Sequence, residues 1–218
     1  MLTTLQLHQL FDFEIDKEHT QDAPSFHPLT KDKFINLAID TFVKTRYEKL
    51  DLTEKNREEI APFVTEQTFT PNVVNNTLLA YDLGLLQPAH WYTVKLLGVQ
   101  NKECENPYIE IRPEKHDNVF HRLNNPFKKP KPNKCFYTIQ DTKLIQIYKH
   151  PDSVINEIKI WYVKQFVPAN IIAGSVTDIT PQIVHDIISI AVRFALEQTL
   201  SQRIQTYPVI NNNRIDVP

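Results

Sequence analysis

Side chains able to attack, ligate or shuttle protons are present in this 218-residue chain, but not at spacings that assemble them. A nucleophile needs a base within hydrogen-bond reach, and the local signatures that supply one are missing. There is no Gly-x-Ser-x-Gly elbow, and neither Cys104 nor Cys135 sits in a protease-type context. No Gly-x-Gly-x-x-Gly or Walker-type run occurs, and three glycines in all disfavour a loop that wraps phosphate closely. The eight histidines are scattered; His116 and His121 are five apart, not the four that align two ligands on one helix face. Glu58 and Glu59 lie beside Lys55 and Arg57, the pattern of a solvated helix face. The expectation is a non-catalytic chain without metal or cofactor. The enzyme reading set against it is a carboxylate-based nuclease, which requires a concave acidic pocket.

One charge pattern stands out. Between residues 112 and 134 the cations are Arg112, Lys115, Arg122, Lys128, Lys129, Lys131 and Lys134, against Glu114 and Asp117. A solvated loop accounts for such a run; the functional readings are a salt-bridge set for an acidic partner or contact with passing DNA phosphates. Phe120, Phe127, Phe136 and Tyr137 are the only aromatics interleaved with it, so sequence-specific reading of nucleic acid is not expected. The surplus is local. The whole chain carries 24 Lys and Arg against 26 Asp and Glu, a net charge of −2, which argues against a surface devoted to nucleic acid.

Apolar residues make up 41% and charged residues 23%, ordinary for a globular chain able to bury a core. Two cysteines without metal spacing are read as free thiols, a bridge between them remaining the alternative. The opening Met1-Leu2-Thr3-Thr4-Leu5 lacks the basic segment and apolar core of a signal peptide, and no run reaches membrane-spanning length. A chain made in the cytoplasm, with no membrane partner, is expected.

The elements that would position these residues read as α+β. Residues 1–65 form an N-terminal helical part: a short amphipathic stretch from Leu5 to Phe13, then a helix capped by Thr30 and running to about Lys49. Phe34, Ala38 and Phe42, with Ile35, Ile39 and Val43 beside them, give that helix a broad buried face. Thr53 caps a further helix that Pro62 stops. Residues 66–170 read as an inserted antiparallel β-rich region with a short helix from Pro113 to Leu123. Its strand runs are Trp91–Val99, Tyr108–Arg112, Leu144–Tyr148 and Glu157–Lys164, and the turn sequence His150-Pro151-Asp152-Ser153 predicts that the last two form a hairpin. Residues 171–206 hold a C-terminal helix opened by Thr180 and Pro181, which completes a helical bundle with the N-terminal helices. Residues 207–218 read as an extended tail without core residues.

In order, Phe34–Tyr47, Glu54–Val64, Asp117–Pro130, the strand Trp161-Tyr162-Val163-Lys164 and the block Thr177–Glu197 resemble virion structural proteins of crAss-like podoviruses infecting Bacteroidales. The resemblance spans nearly the whole chain and rests on pattern, with no single diagnostic motif. It implies a head-to-tail connector protein: a ring or adaptor subunit stacked near the portal, in about twelve copies, shaping the channel through which the genome leaves. The partners implied are copies of itself, the portal protein, neighbouring connector or tail rings, and genomic DNA met without sequence specificity. The location implied is the virion, after assembly in the bacterial cytoplasm. Contacts to self or partner are expected at Lys128, Lys129, Lys131 and Lys134 and, in the tail, at Tyr207, Val209, Ile210, Arg214 and Ile215. Contacts to channel DNA or an acidic partner are expected at Arg112, Lys115, Arg122, Lys128 and Lys129. The reading from a different class is a host-directed binding module made during infection and absent from the particle.

Overall fold

The computed structural model describes residues 1–18, 25–50, 53–100, 108–141 and 143–212, with backbone alone at 18 and from 200 onward. In chain order its elements are β1 (Leu2–Thr3), α1 (Thr4–Glu18), α2 (Pro28–Glu48), α3 (Glu54–Ile60), β2 (Val64–Phe69), β3 (Asn72–Asn75), β4 (Leu78–Asp82), β5 (His90–Val99), β6 (Tyr108–Pro113), α4 (Val119–Asn124), β7 (Lys134–Gln140), β8 (Leu144–Tyr148), β9 (Glu157–Lys164), β10 (Val176–Thr177) and α5 (Val184–Asn212). The protein is therefore α+β. It divides into two compact units, one made of Met1–Pro62 with Phe166–Pro218, the other of Phe63–Gln165.

In the first unit α1, α2 and α5 pack on one another. Leu7, Phe11 and Ile15 recur every four residues along α1 and are buried, as are Phe34, Ile35, Ala38, Ile39, Phe42 and Val43 of α2. Val184, Ile187, Ile188, Ala191, Val192 and Ala195 bury the corresponding stripe of α5. Each of the large side chains contributes about 1.5–3 kcal/mol by leaving water. Phe11 lies parallel to Phe34 at 6.4 Å between ring centres, and Phe26 stands edge-on to both. Helix α2 starts earlier than the Thr30 cap expected: Pro28 takes the first turn, and the His27 ring accepts the Leu29 N–H at 3.4 Å. Thr53 caps α3 as expected, accepting the Asn56 N–H at 3.3 Å.

The second unit is one eight-stranded sheet in the order β2-β9-β5-β6-β7-β8-β4-β3. Its two edge strands, β2 and β3, are separated in the chain by only Thr70 and Pro71, so the edges converge and the sheet curls on itself. Phe69 of β2 stacks on Tyr81 of β4, ring centres 3.7 Å apart. The sheet carries a continuous core that includes Leu79, Leu96, Ile109, Ile111, Ile145, Ile147, Ile158, Ile160 and Tyr162.

Several expectations are corrected here. Strands β8 and β9 do not form a hairpin: β8 lies between β7 and β4, and β9 between β2 and β5. Strand β8 forms its hairpin with β7, through a connection far shorter than the one from Tyr148 to Glu157; Asp141 takes the left-handed turn conformation at φ 50°. The sheet is not wholly antiparallel, because β6 and β7 run parallel. The crossover this requires is residues 114–133, which contain α4. Pro113 ends strand β6 and does not open the helix, since Arg112 and Pro113 pair with Phe136 and Tyr137. At the C-terminal helix, Thr180 does not act as the cap: α5 begins at Val184, and the buried Thr180 hydroxyl finds no partner among the described residues. The tail is not extended throughout, for α5 continues through Tyr207, Pro208, Val209 and Ile210 to Asn212. A helix already propagating loses only one backbone bond at Pro208, and no glycine stops it earlier.

Candidate functional site

The basic segment becomes a surface through the crossover between β6 and β7. Chain geometry holds the loop after α4: the Lys128 and Lys129 amides both donate to the Asn125 carbonyl at 3.0 Å, and Phe127 N–H donates to the Asn125 side chain at 3.0 Å. Lys131 and Lys134 bond each other's backbone across a tight turn. Arg122 anchors the arrangement from beneath. Its guanidinium pairs with the Glu114 carboxylate, donates to the Lys128 carbonyl at 3.2 Å and lies 4.9 Å above the Phe136 ring. It is occupied within its own chain.

The other cations divide in the same way. Arg112 pairs with Glu110 at 2.9 Å on the exposed side of β6. That bond, with the neighbouring charges of Arg112, Lys134 and Lys95, holds the Glu110 carboxyl below its ordinary range. Lys115, Lys128, Lys129, Lys131 and Lys134 are exposed and form no ion pair among the described residues. Phe120 and Phe127 stand out in the solvent beside them, 72% and 87% exposed.

Lys129 and Lys131 border a groove of about 540 Å³ whose walls are Leu123, Pro126, Pro130, Pro132 and Pro151, with Thr77, Lys149 and His150 closing it. Two connections bring these distant residues together. The Lys149 amide donates to the Thr77 carbonyl at 2.9 Å as β4 pairs with β8. The buried Ser153 hydroxyl donates to the Pro132 carbonyl at 2.9 Å, and the Lys149 ammonium donates to the Ser153 carbonyl at 2.8 Å. The sequence alone points to the lysines but not to Thr77 or the His150-Pro151 wall, since that turn reads as a hairpin end. The Pro-Phe-Lys-Lys-Pro-Lys-Pro run of residues 126–132 was the available signal.

The groove sits on the positive part of a polarised chain. Residues 63–165 contain 10 Asp or Glu and 13 Lys or Arg, whereas the remaining residues contain 16 and 11. A basic groove thus coexists with an acidic unit in the same chain.

A second cleft, of about 530 Å³, is lined by Leu83, Gly84, Ala89, His90, Trp91, Tyr92, Lys143 and Gln165. Trp91 and Tyr92 stack at 5.0 Å where a bulge interrupts β5. Burial pushes the His90 ring down to about 4, so it is neutral near pH 7, and its Nε2 lies 2.9 Å from the Thr93 hydroxyl. The buried Cys135 thiol is pushed up to about 11, chiefly by burial, which leaves little thiolate at neutral pH. Cys104 lies outside the described residues. Among the described residues no three His, Cys, Asp or Glu side chains gather as metal ligands.

Of the tail residues, Tyr207, Val209 and Ile210 belong to the last turns of α5, and Arg214 and Ile215 lie outside the described residues. Among the described residues no helix is long and apolar enough to cross a membrane. No protein-family model matches the chain, and no curated protein matches it significantly.

Proposed function

We propose that this chain is a non-catalytic structural subunit of a tailed bacteriophage particle, one copy of a ring, about twelve-fold, in the head-to-tail connector near the portal. The observation that carries the reading is a proline-walled groove bordered by Lys129 and Lys131, which form no ion pair among the described residues, in a chain whose other unit is acidic. A ring of identical subunits needs two different surfaces on each copy that fit one another, closed by rotation. Opposite charge on two parts of one chain supplies such surfaces. In this reading the helices of residues 1–62 and 166–212 are a bundle into which the curled sheet is inserted. Helix α5, at 29 residues, outruns the 21-residue α2 and offers its last turns to the portal or a neighbouring ring. Lys115 and Lys128 remain available to DNA phosphates, whose recognition by ammonium groups carries no sequence information.

Immunogold labelling of purified particles through an epitope tag tests this directly. Label at the junction of capsid and tail is the expected result. Particles without label, with the tagged chain confined to the infected-cell lysate, favour a host-directed binding module using the same groove.

A further inference from the structure

We infer that the proline-walled groove receives helix α1 of a second copy of this chain, forming the head-to-tail contact of the ring; this rests on the assembly reading above. The groove's lining combines apolar Leu123, Pro126, Pro130 and Pro132 with Lys129 and Lys131, which form no ion pair among the described residues. Its occupant must therefore present both apolar side chains and carboxylates.

Helix α1 presents that combination. Its buried stripe is Leu7, Phe11 and Ile15, while on its outer side Leu5 and Phe13 are 59% and 60% exposed. Asp12 and Asp16 are exposed next to them, at spacings from Leu5 that share one helix face. Asp12 already bonds Lys31, and Glu14 bonds Lys17, but both pairs are partly exposed and such pairs hold weakly. The last turns of α1 carry Glu14, Asp16 and Glu18 against the single cation Lys17. Carboxylates there face the negative end of the helix dipole, an arrangement that an incoming pair of ammonium groups relieves. The two surfaces differ, so the contact is heterologous and propagates around a ring. A double helix of DNA is too wide to enter a groove of this volume. It can meet only the rim.

The test uses two full-length variants, Lys129→Glu with Lys131→Glu, and Asp12→Lys with Asp16→Lys, examined by sedimentation velocity alone and mixed. Each variant alone has two surfaces of like charge and should self-associate roughly tenfold or more weakly than the wild type. Mixed, every contact again joins opposite charges, so assembly should return, which misfolded variants cannot achieve. A mixture that stays dispersed while the wild type assembles overturns the α1–groove contact and leaves the ring reading intact. A wild-type chain that is monomeric at all concentrations also overturns the contact, with the ring reading then decided separately by labelled particles. If Lys129→Glu with Lys131→Glu abolishes salt-dependent duplex binding but leaves self-association unchanged, the groove belongs to DNA and the contact is overturned.

Discussion

Arg122 turns a run of positive charge into a shaped surface. By holding the Lys128 carbonyl and Glu114 while resting on Phe136, it converts a loop into a groove wall. Arg122→Ala should cost about 1–3 kcal/mol in urea unfolding, with faster hydrogen exchange at the Lys128 and Lys129 amides. In the other unit, buried Asp32 accepts from the His8 ring at 2.8 Å and from the Ile171 amide at 3.0 Å, tying together α1, α2 and the segment before β10. Asp32→Ala strands both donors and should cost about 3 kcal/mol by the same measurement. His90 gives a pH signature. Its folded-state pKa, about 4, lies below the ordinary 6.5, so the unfolded chain binds the proton more readily. The stability linked to it is full above pH 6.5 and declines as pH falls toward 4. Discounted for its partial exposure, the loss is about 1–2 kcal/mol, and His90→Gln should flatten that slope in denaturation curves across this range.

Elements were legible in the sequence where the signal is local. The apolar spacing of Phe34 to Val43 and the Thr53 cap specify α2 and α3 almost unaided. The runs read as strands near 91–99, 108–112, 144–148 and 157–164 are strands β5, β6, β8 and β9. Their pairing was not legible, because strand neighbours are chosen by long-range fit. His150 to Ser153 do turn the chain, yet β9 crosses to lie beside β5, where Leu96 opposes Ile160. Strand β7 hides behind a lysine- and proline-rich run that reads as loop, although Cys135, Phe136, Tyr137 and Thr138 are all buried. Gly98 marks one such long-range fit: a Cβ there would meet Ile155 side-chain atoms at 3.2 Å. Gly98→Ala should destabilise the sheet by about 1–3 kcal/mol, read as a lower denaturation midpoint with unchanged slope.

At the scale of the whole molecule, charge is the organising feature. Lysines 128, 129, 131 and 134 were visible as a run; that Lys129 and Lys131 border a groove with Thr77, Lys149 and Pro151 depends on β4, β7 and β8 being neighbours. No local pattern encodes that adjacency. The acidic balance of the remaining unit is likewise visible only once the chain is divided at Pro62 and Gln165. Together they are the features that the proposed ring subunit would use to meet copies of itself. Quantitative mass spectrometry of purified particles, with this chain's copy number scaled to the portal protein, decides whether it is such a subunit. A ratio near one is the expected result, as a stoichiometric ring requires. Absence from the particle, or a trace ratio, would contradict it.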